Sequence, residues 1–315
     1  MVVISESDSS LNPKCTVVGA KRDDADNDPM VRTFEPALQD LTDRSVFGPV
    51  EFREYVTQHR LGDRKTAPSI SIDSFEKLPP ELQNADAMVL RLGSPKGVRG
   101  TKFAIIRVDG NLEAFFLMHD KVFGDCDAVP FLPTASWRDL YAFQVLRKLT
   151  EPSLVNLAIA SGLLGYALDL DEDTVGLVPA TGQSTFTFEF QPHDLVRQTL
   201  LHQNGQVEID AVFVGRRNRK DCLFVVEAKS GPDVKSIAKH KLVYPVLSVA
   251  KHLPTGMSIV PVYIHVASES DGYHFRIAEC EFHDPRARTP VLSSLAPIRT
   301  SHLVLPIIPE VVAHG

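Results

Sequence analysis

Gly205-Gln-Val-Glu-Ile-Asp-Ala-Val-Phe-Val-Gly-Arg-Arg-Asn-Arg-Lys-Asp-Cys-Leu-Phe-Val-Val-Glu-Ala-Lys-Ser-Gly231 reads as two β-strands joined by a basic turn. The second arm, Cys222 to Val226, is a nearly continuous apolar run, as expected of a central strand covered on both faces. Side chains alternate across a strand, so Glu227 and Lys229 share one face at the end of that run. If the hairpin turns near Asn218 or Arg219, Asp210 and Glu227 stand at matching positions on the two arms and lie side by side. Charges there are costly unless paired, hydrated or bound to a metal. Two carboxylates and a backbone carbonyl suit Mg²⁺, which would polarise a phosphate and acidify a water, with Lys229 holding or deprotonating that water.

Around this hairpin the pattern predicts a helix from Ser136, N-capped by that serine, and a second apolar helix over Leu154–Leu164. Alternating strands follow at 184–192, 207–215 and 222–228, then a helix from about Val234 to His252. Two further strands run over 258–266 and 273–281, and the proline-broken Leu303–Pro309 reads as an extended edge. The expected fold class is therefore α/β, a mixed central sheet flanked by helices. Residues 31–130 read as a separate N-terminal α+β domain, with strands at 69–73, 87–92 and 102–109 and a hairpin at Asp109-Gly-Asn111 into 112–118. Residues 1–30 are polar and read as a flexible arm, and 131–315 form the second domain.

The chain of 315 residues carries a net charge of −7, unusual for a nucleic-acid partner. The distribution qualifies that, since Val196 to His252 holds ten Lys/Arg against five acids. The four scattered cysteines form no C-x-x-C pair, which argues against a zinc ribbon or a disulfide framework. No apolar run is long enough to span a membrane, and MVVISESDSS lacks the pattern of a secretory signal, so a cytoplasmic protein is expected. The histidines show no metal-ligand spacing, and the basic loop Ser94–Lys102 lacks the Walker pattern.

Asp210, sixteen residues, then Glu227-Ala-Lys229 resembles the PD-(D/E)-x-K signature of the restriction-endonuclease-like nucleases. The segment order from residue 136 to 282 matches that superfamily's αβββαβ succession, and Thr150–Leu164 with Phe186-Thr-Phe-Glu-Phe is similar to type II restriction endonucleases. Two departures stand out: no proline precedes Asp210, and Lys239-His-Lys241 occupies a helix where relatives often place Gln. The resemblance implies a restriction-endonuclease-like core and sequence-specific, Mg²⁺-dependent hydrolysis of duplex DNA, with Mn²⁺ as a substitute ion and a homodimer as the working unit. It also implies catalysis by Asp210, Glu227 and Lys229, metal binding by the two acids, and a third carboxylate from Glu151, Glu208 or Glu189. Lys96, Arg99 and Lys102, the turn residues Arg216 and Arg217, and Lys235 and Lys239 on the next helix are the candidate DNA contacts. The alternatives are a repair or recombination nuclease with the same core and a non-catalytic DNA-binding protein.

Overall fold

A computed structural model describes residues 32–41, 45–143, 145–146, 148–172 and 176–306, so the N-terminal arm and Cys15 lie outside the described residues. The first part runs α1 (Glu35–Gln39), β1 (Val46–Glu51), α2 (Phe52–Gln58), α3 (Thr66–Ile70), α4 (Pro80–Asn84), β2 (Ala87–Gly93) and β3 (Lys102–Arg107). Next come β4 (Phe116–Met118), α5 (His119–Phe123), β5 (Ala128–Pro130), α6 (Trp137–Leu140), α7 (Glu151–Ala160) and α8 (Leu163–Ala167). The chain continues through β6 (Ala180–Phe190), β7 (Leu200–Arg217), β8 (Lys220–Ser230), β9 (Ser236–Ala238) and α9 (His240–Ala250). It closes with β10 (Ser258–Glu269), β11 (Gly272–Glu281) and β12 (Ala296–Pro306).

Ten of these strands form one sheet in the order β1-β3-β2-β7-β8-β10-β11-β12-β5, with β6 on β7. Pairing is antiparallel except at β2–β7, β8–β10 and β12–β5. The fold is thus mixed α/β, with a large, mostly antiparallel sheet flanked by helices. Strand β8 shows how the layers arise: Leu223 and Val225 point into a core shared with Leu242, Val243 and Val246 of α9. Cys222, Phe224, Val226 and Ala228 point the other way, against Leu154, Val155, Leu163 and Leu164 of α7 and α8.

The α9-side core runs from Phe34 to Leu295, so the N-terminal strands and the later ones bury their apolar faces together. Strands β1–β3 join the rest of the large sheet where β2 meets β7, at the single ladder pair Gly93↔Gln203. Gly93 has φ +72°, and a Cβ there would sit 2.4 Å from the Gln203 carbonyl oxygen, which only glycine avoids.

Several local expectations are corrected. Residues 66–70 are helical where 69–73 was expected as a strand, and 112–115 form a 3-10 turn because Leu112 and Phe115 both bury on one side. The strand after that turn pairs with β9, not with β3. Ser136 does cap its helix, accepting from Asp139 N–H, but α6 passes into a 3-10 turn at Tyr141–Phe143. The second helix breaks at Gly162, whose φ of +81° and contact with Thr134 exclude a side chain. The helix expected from Val234 starts only at His240, because 236–238 are drawn into β9.

Candidate active site

The β7–β8 hairpin turns through Asn218 and Arg219, both in the left-handed region (φ 51° and 62°), the conformation of a tight two-residue hairpin. Its ladder pairs Arg217↔Lys220 through Ala211↔Val226, ending one residue short of Asp210 and Glu227. Against β6 the register slips: Gly182↔Ile209 is followed by Ala180↔Val212, giving β7 one extra residue across the stretch that holds Asp210. Such a bulge re-aims a side chain at the end of regular pairing, and Asp210 Oδ2 here accepts from Ala228 N–H at 2.8 Å.

Glu227 continues the face of Leu223 and Val225 and is 3% exposed. Lys229, two residues on, brings Nζ to 2.8 Å from Glu227 Oε1 and 3.3 Å from Glu151 Oε2, and also donates to the Ala228 carbonyl at 3.0 Å. Glu151 reaches this point from the first turn of α7, on the opposite layer. A second ammonium, Lys241 Nζ at the start of α9, lies 3.4 Å from Glu227 Oε1 and 4.0 Å from Asp73 Oδ1. Behind Glu227, Tyr263 is its partner in the parallel β8–β10 ladder and is fully buried, sharing a 2.8 Å hydrogen bond with His119 Nε2.

Burial drives the Glu227 carboxyl above its ordinary range, against the pull of Lys241 and Lys229. For both lysines burial acts downward and is outweighed, chiefly by Glu227, so each is held above its ordinary value. Lys229 is therefore held as an ammonium between Glu227 and Glu151. Among the described residues Asp210 Oδ1 and Glu227 Oε2 carry no hydrogen bond or ion pair. The cluster thus keeps one hard oxygen donor free on each carboxylate.

Beside it opens a cavity of about 360 Å³ lined by Glu151, Lys229 and Lys241 and, from the far side, by Ser71, Asp73 and Arg91. His202, His240 and Tyr244 also line it. Sequence reasoning missed Asp73, Arg91, Tyr263 and these aromatic groups, and read Lys241 only as a possible phosphate contact beside Lys239. Lys241 did leave a signal, being a charge in a helix whose neighbours from Leu242 to Ser248 are all buried.

Of the three candidate third carboxylates, Glu151 is the one that touches the cluster. Glu208 lines the cavity but is exposed and accepts from Gln183 and Gln206, while Glu189 is exposed on β6. Two expected DNA contacts are corrected. Lys239 is buried, donates to the Ser293 carbonyl at 2.9 Å, and is pushed down to about 8 by burial. Arg217 is tied to Glu279 at 2.7 Å and sits over the Phe224 ring. Arg216 is exposed, but it lies roughly 20 Å along the strand from Asp210, too far for a clamp beside the site. Lys235, Lys96 and Arg99 are exposed in loops and Lys102 is half-buried at the start of β3.

Another acidic group, Glu269 and Asp271 with His274, occupies the β10–β11 turn. Its His274 already bonds Asp271 at 2.8 Å and His302 at 3.0 Å, and it lies roughly 20 Å along β10 from Tyr263.

A family profile described as a domain of unknown function, DUF6997, matches residues 134–293. The chain belongs to the DUF6997 family. No curated protein gives a significant match to it. Glu151, Asp210, Glu227, Lys229 and Lys241 all fall within the DUF6997 segment, whereas Ser71, Asp73 and Arg91 precede it. Among the described residues no helix is long and apolar enough to cross a membrane.

Proposed function

We propose that this DUF6997 protein is a Mg²⁺-dependent, sequence-specific endonuclease of the restriction-endonuclease-like type, hydrolysing phosphodiester bonds of duplex DNA as a homodimer. The observation that carries the proposal is Asp210 held on Ala228 N–H at 2.8 Å, beside Glu227 at the end of a buried strand, with Lys229 Nζ 2.8 Å from Glu227. The succession α7, β6–β8, α9, β10 gives it further support. Asp210 Oδ1 and Glu227 Oε2 would hold the ion, which supplies a polarised phosphate and an acidified water. Mn²⁺ would fit the same oxygen donors.

The chain's own groups account for the rest of the step. Water adds across one P–O bond, leaving a phosphomonoester and a hydroxyl. Lys229, held protonated between Glu227 and Glu151, orients that water and offsets the charge gathering on phosphorus. Lys241 supplies a second positive charge on the cavity side. Ala228 N–H fixes Asp210, and Tyr263 closes the site from behind.

The test is cleavage of mixed-sequence plasmid and phage DNA by wild type and Lys229→Ala, with Mg²⁺ and with chelator. Discrete Mg²⁺-dependent fragments that vanish in the variant are expected. Smears or nicks with the same dependence would point to a repair-type nuclease. Salt-sensitive binding without cutting would reduce the protein to a DNA-binding module.

A further inference from the structure

β2 is buried along its whole length except at Arg91. A guanidinium in such a strand is costly unless an anion meets it. Among the described residues no carboxylate lies within ion-pair distance of Arg91, although the same cavity holds Asp73, Glu151 and Glu208. Those acids are engaged elsewhere: Asp73 with Lys77 and Lys241, Glu151 with Lys229, Glu208 with two glutamines. The side chain of Arg91 has one long hydrogen bond, Nη1 to Ser71 Oγ at 3.3 Å. Its carbonyl accepts from Tyr244 Oη at 3.3 Å, which ties β2 to the helix that carries Lys241. The guanidinium therefore stands at the wall of the cavity with one long hydrogen bond and no carboxylate partner among the described residues.

We infer that Arg91 is a phosphate anchor: it takes a second phosphate of the substrate strand, next to the one hydrolysed at Asp210 and Glu227. The inference rests on the nuclease reading and extends it, because it gives the N-terminal strands a positioning role inside the site and not only on a distant recognition surface. Three features suit a phosphate in particular. The planar fork matches two phosphate oxygens at once. The nearby His202, pushed down to about 4 by burial, stays neutral and leaves Arg91 as the positive group on that wall. The strand leads two residues later, past Gly93, into an exposed loop that carries two further cations, Lys96 and Arg99.

Two measurements on the full chain test this. In the first, oligonucleotide affinity is measured with Ca²⁺ in place of Mg²⁺ across a salt series, for wild type, Arg91→Gln and Arg91→Lys. Loss of the anchor should weaken Arg91→Gln about tenfold and lower the slope of log affinity against log salt by about one. Arg91→Lys should keep the slope and lose part of the affinity. A substrate with a neutral methylphosphonate beside the cleaved linkage should lower wild-type affinity and leave Arg91→Gln unmoved. In the second, inorganic phosphate is titrated without metal and thermal unfolding is followed. Phosphate should raise the midpoint of wild type and not that of Arg91→Gln.

If wild type cuts DNA while Arg91→Gln matches it in affinity, slope and phosphate response, the anchor is refuted and the nuclease stands. If phosphate protects only wild type while no DNA is cut, the anion site stands and the nuclease reading falls. Absence of any phosphate effect, together with losses that add between the methylphosphonate and Arg91→Gln, would also refute the anchor.

Discussion

Glu227 is shared by two lysines, and that sharing sets what each substitution does. On the proposed nuclease reading Lys229→Ala removes the group that orients water and offsets charge, so cleavage should fall about 10²–10³-fold with DNA binding retained. Fragment yield alongside affinity checks it. Glu227→Ala takes the shared, nearest carboxylate from two largely buried ammonium groups, 18% and 22% exposed, leaving Lys229 only Glu151 and Lys241 only Asp73. Urea unfolding should show a loss of about 3–5 kcal/mol. Adding Lys241→Met to that variant should recover part of the stability without restoring activity; a double variant no more stable than the single would contradict the sharing. Acid should act through His202 and His240, which burial pushes down to about 4 and about 3. Unfolded, they titrate near 6.5, so between that pH and their folded values the unfolded chain binds more protons. Stability is full above about pH 6.5 and falls with acidification by about 1.4 kcal/mol per pH unit for each histidine. Urea midpoints at pH 7.5 and 5.5 in wild type and His202→Gln measure the slope, which should be shallower in the variant.

At the scale of elements, the β2–β7 junction depends on one glycine. Gly93→Ala would press a methyl group into Gln203 and Gly205 while asking a non-glycine residue to hold φ +72°. A loss of about 1–3 kcal/mol or more is expected, with activity falling as Arg91 shifts; thermal unfolding and cleavage measured together test it. The elements that were legible in the sequence are those whose apolar residues alternate locally. β8 and its carboxylate partner in β7 could be read because both arms count from one turn. The first half of β7 could not: His202-Gln-Asn-Gly205 looks like a turn, but Asn204, at φ 43°, sits where the β6 register slips again, and the strand continues. Lys239 was misread because β9 pairs with β4, more than a hundred residues earlier, and no local pattern announces that. Asp73 and Arg91 reach the site by the same kind of long-range approach.

For the whole molecule, the shared core has a direct consequence. A fragment of residues 131–315 would expose the surfaces of Val225, Tyr244 and Leu247 that now pack in a cluster with Phe103, Phe115 and Leu90. It should fail to unfold cooperatively, and its near-ultraviolet dichroism should be weak, while the full chain shows one transition. The Asn218-Arg219 turn, at the other end of the hairpin from the chemistry, acts as a measuring rod: it fixes how many residues each arm spends before the two acids meet. Its side chains face solvent and are free to vary so long as both positions tolerate the left-handed backbone. Its length is not free. One residue added there would slide one arm past the other, turn every side chain of that arm to the opposite layer, and separate Asp210 from Glu227 without touching either.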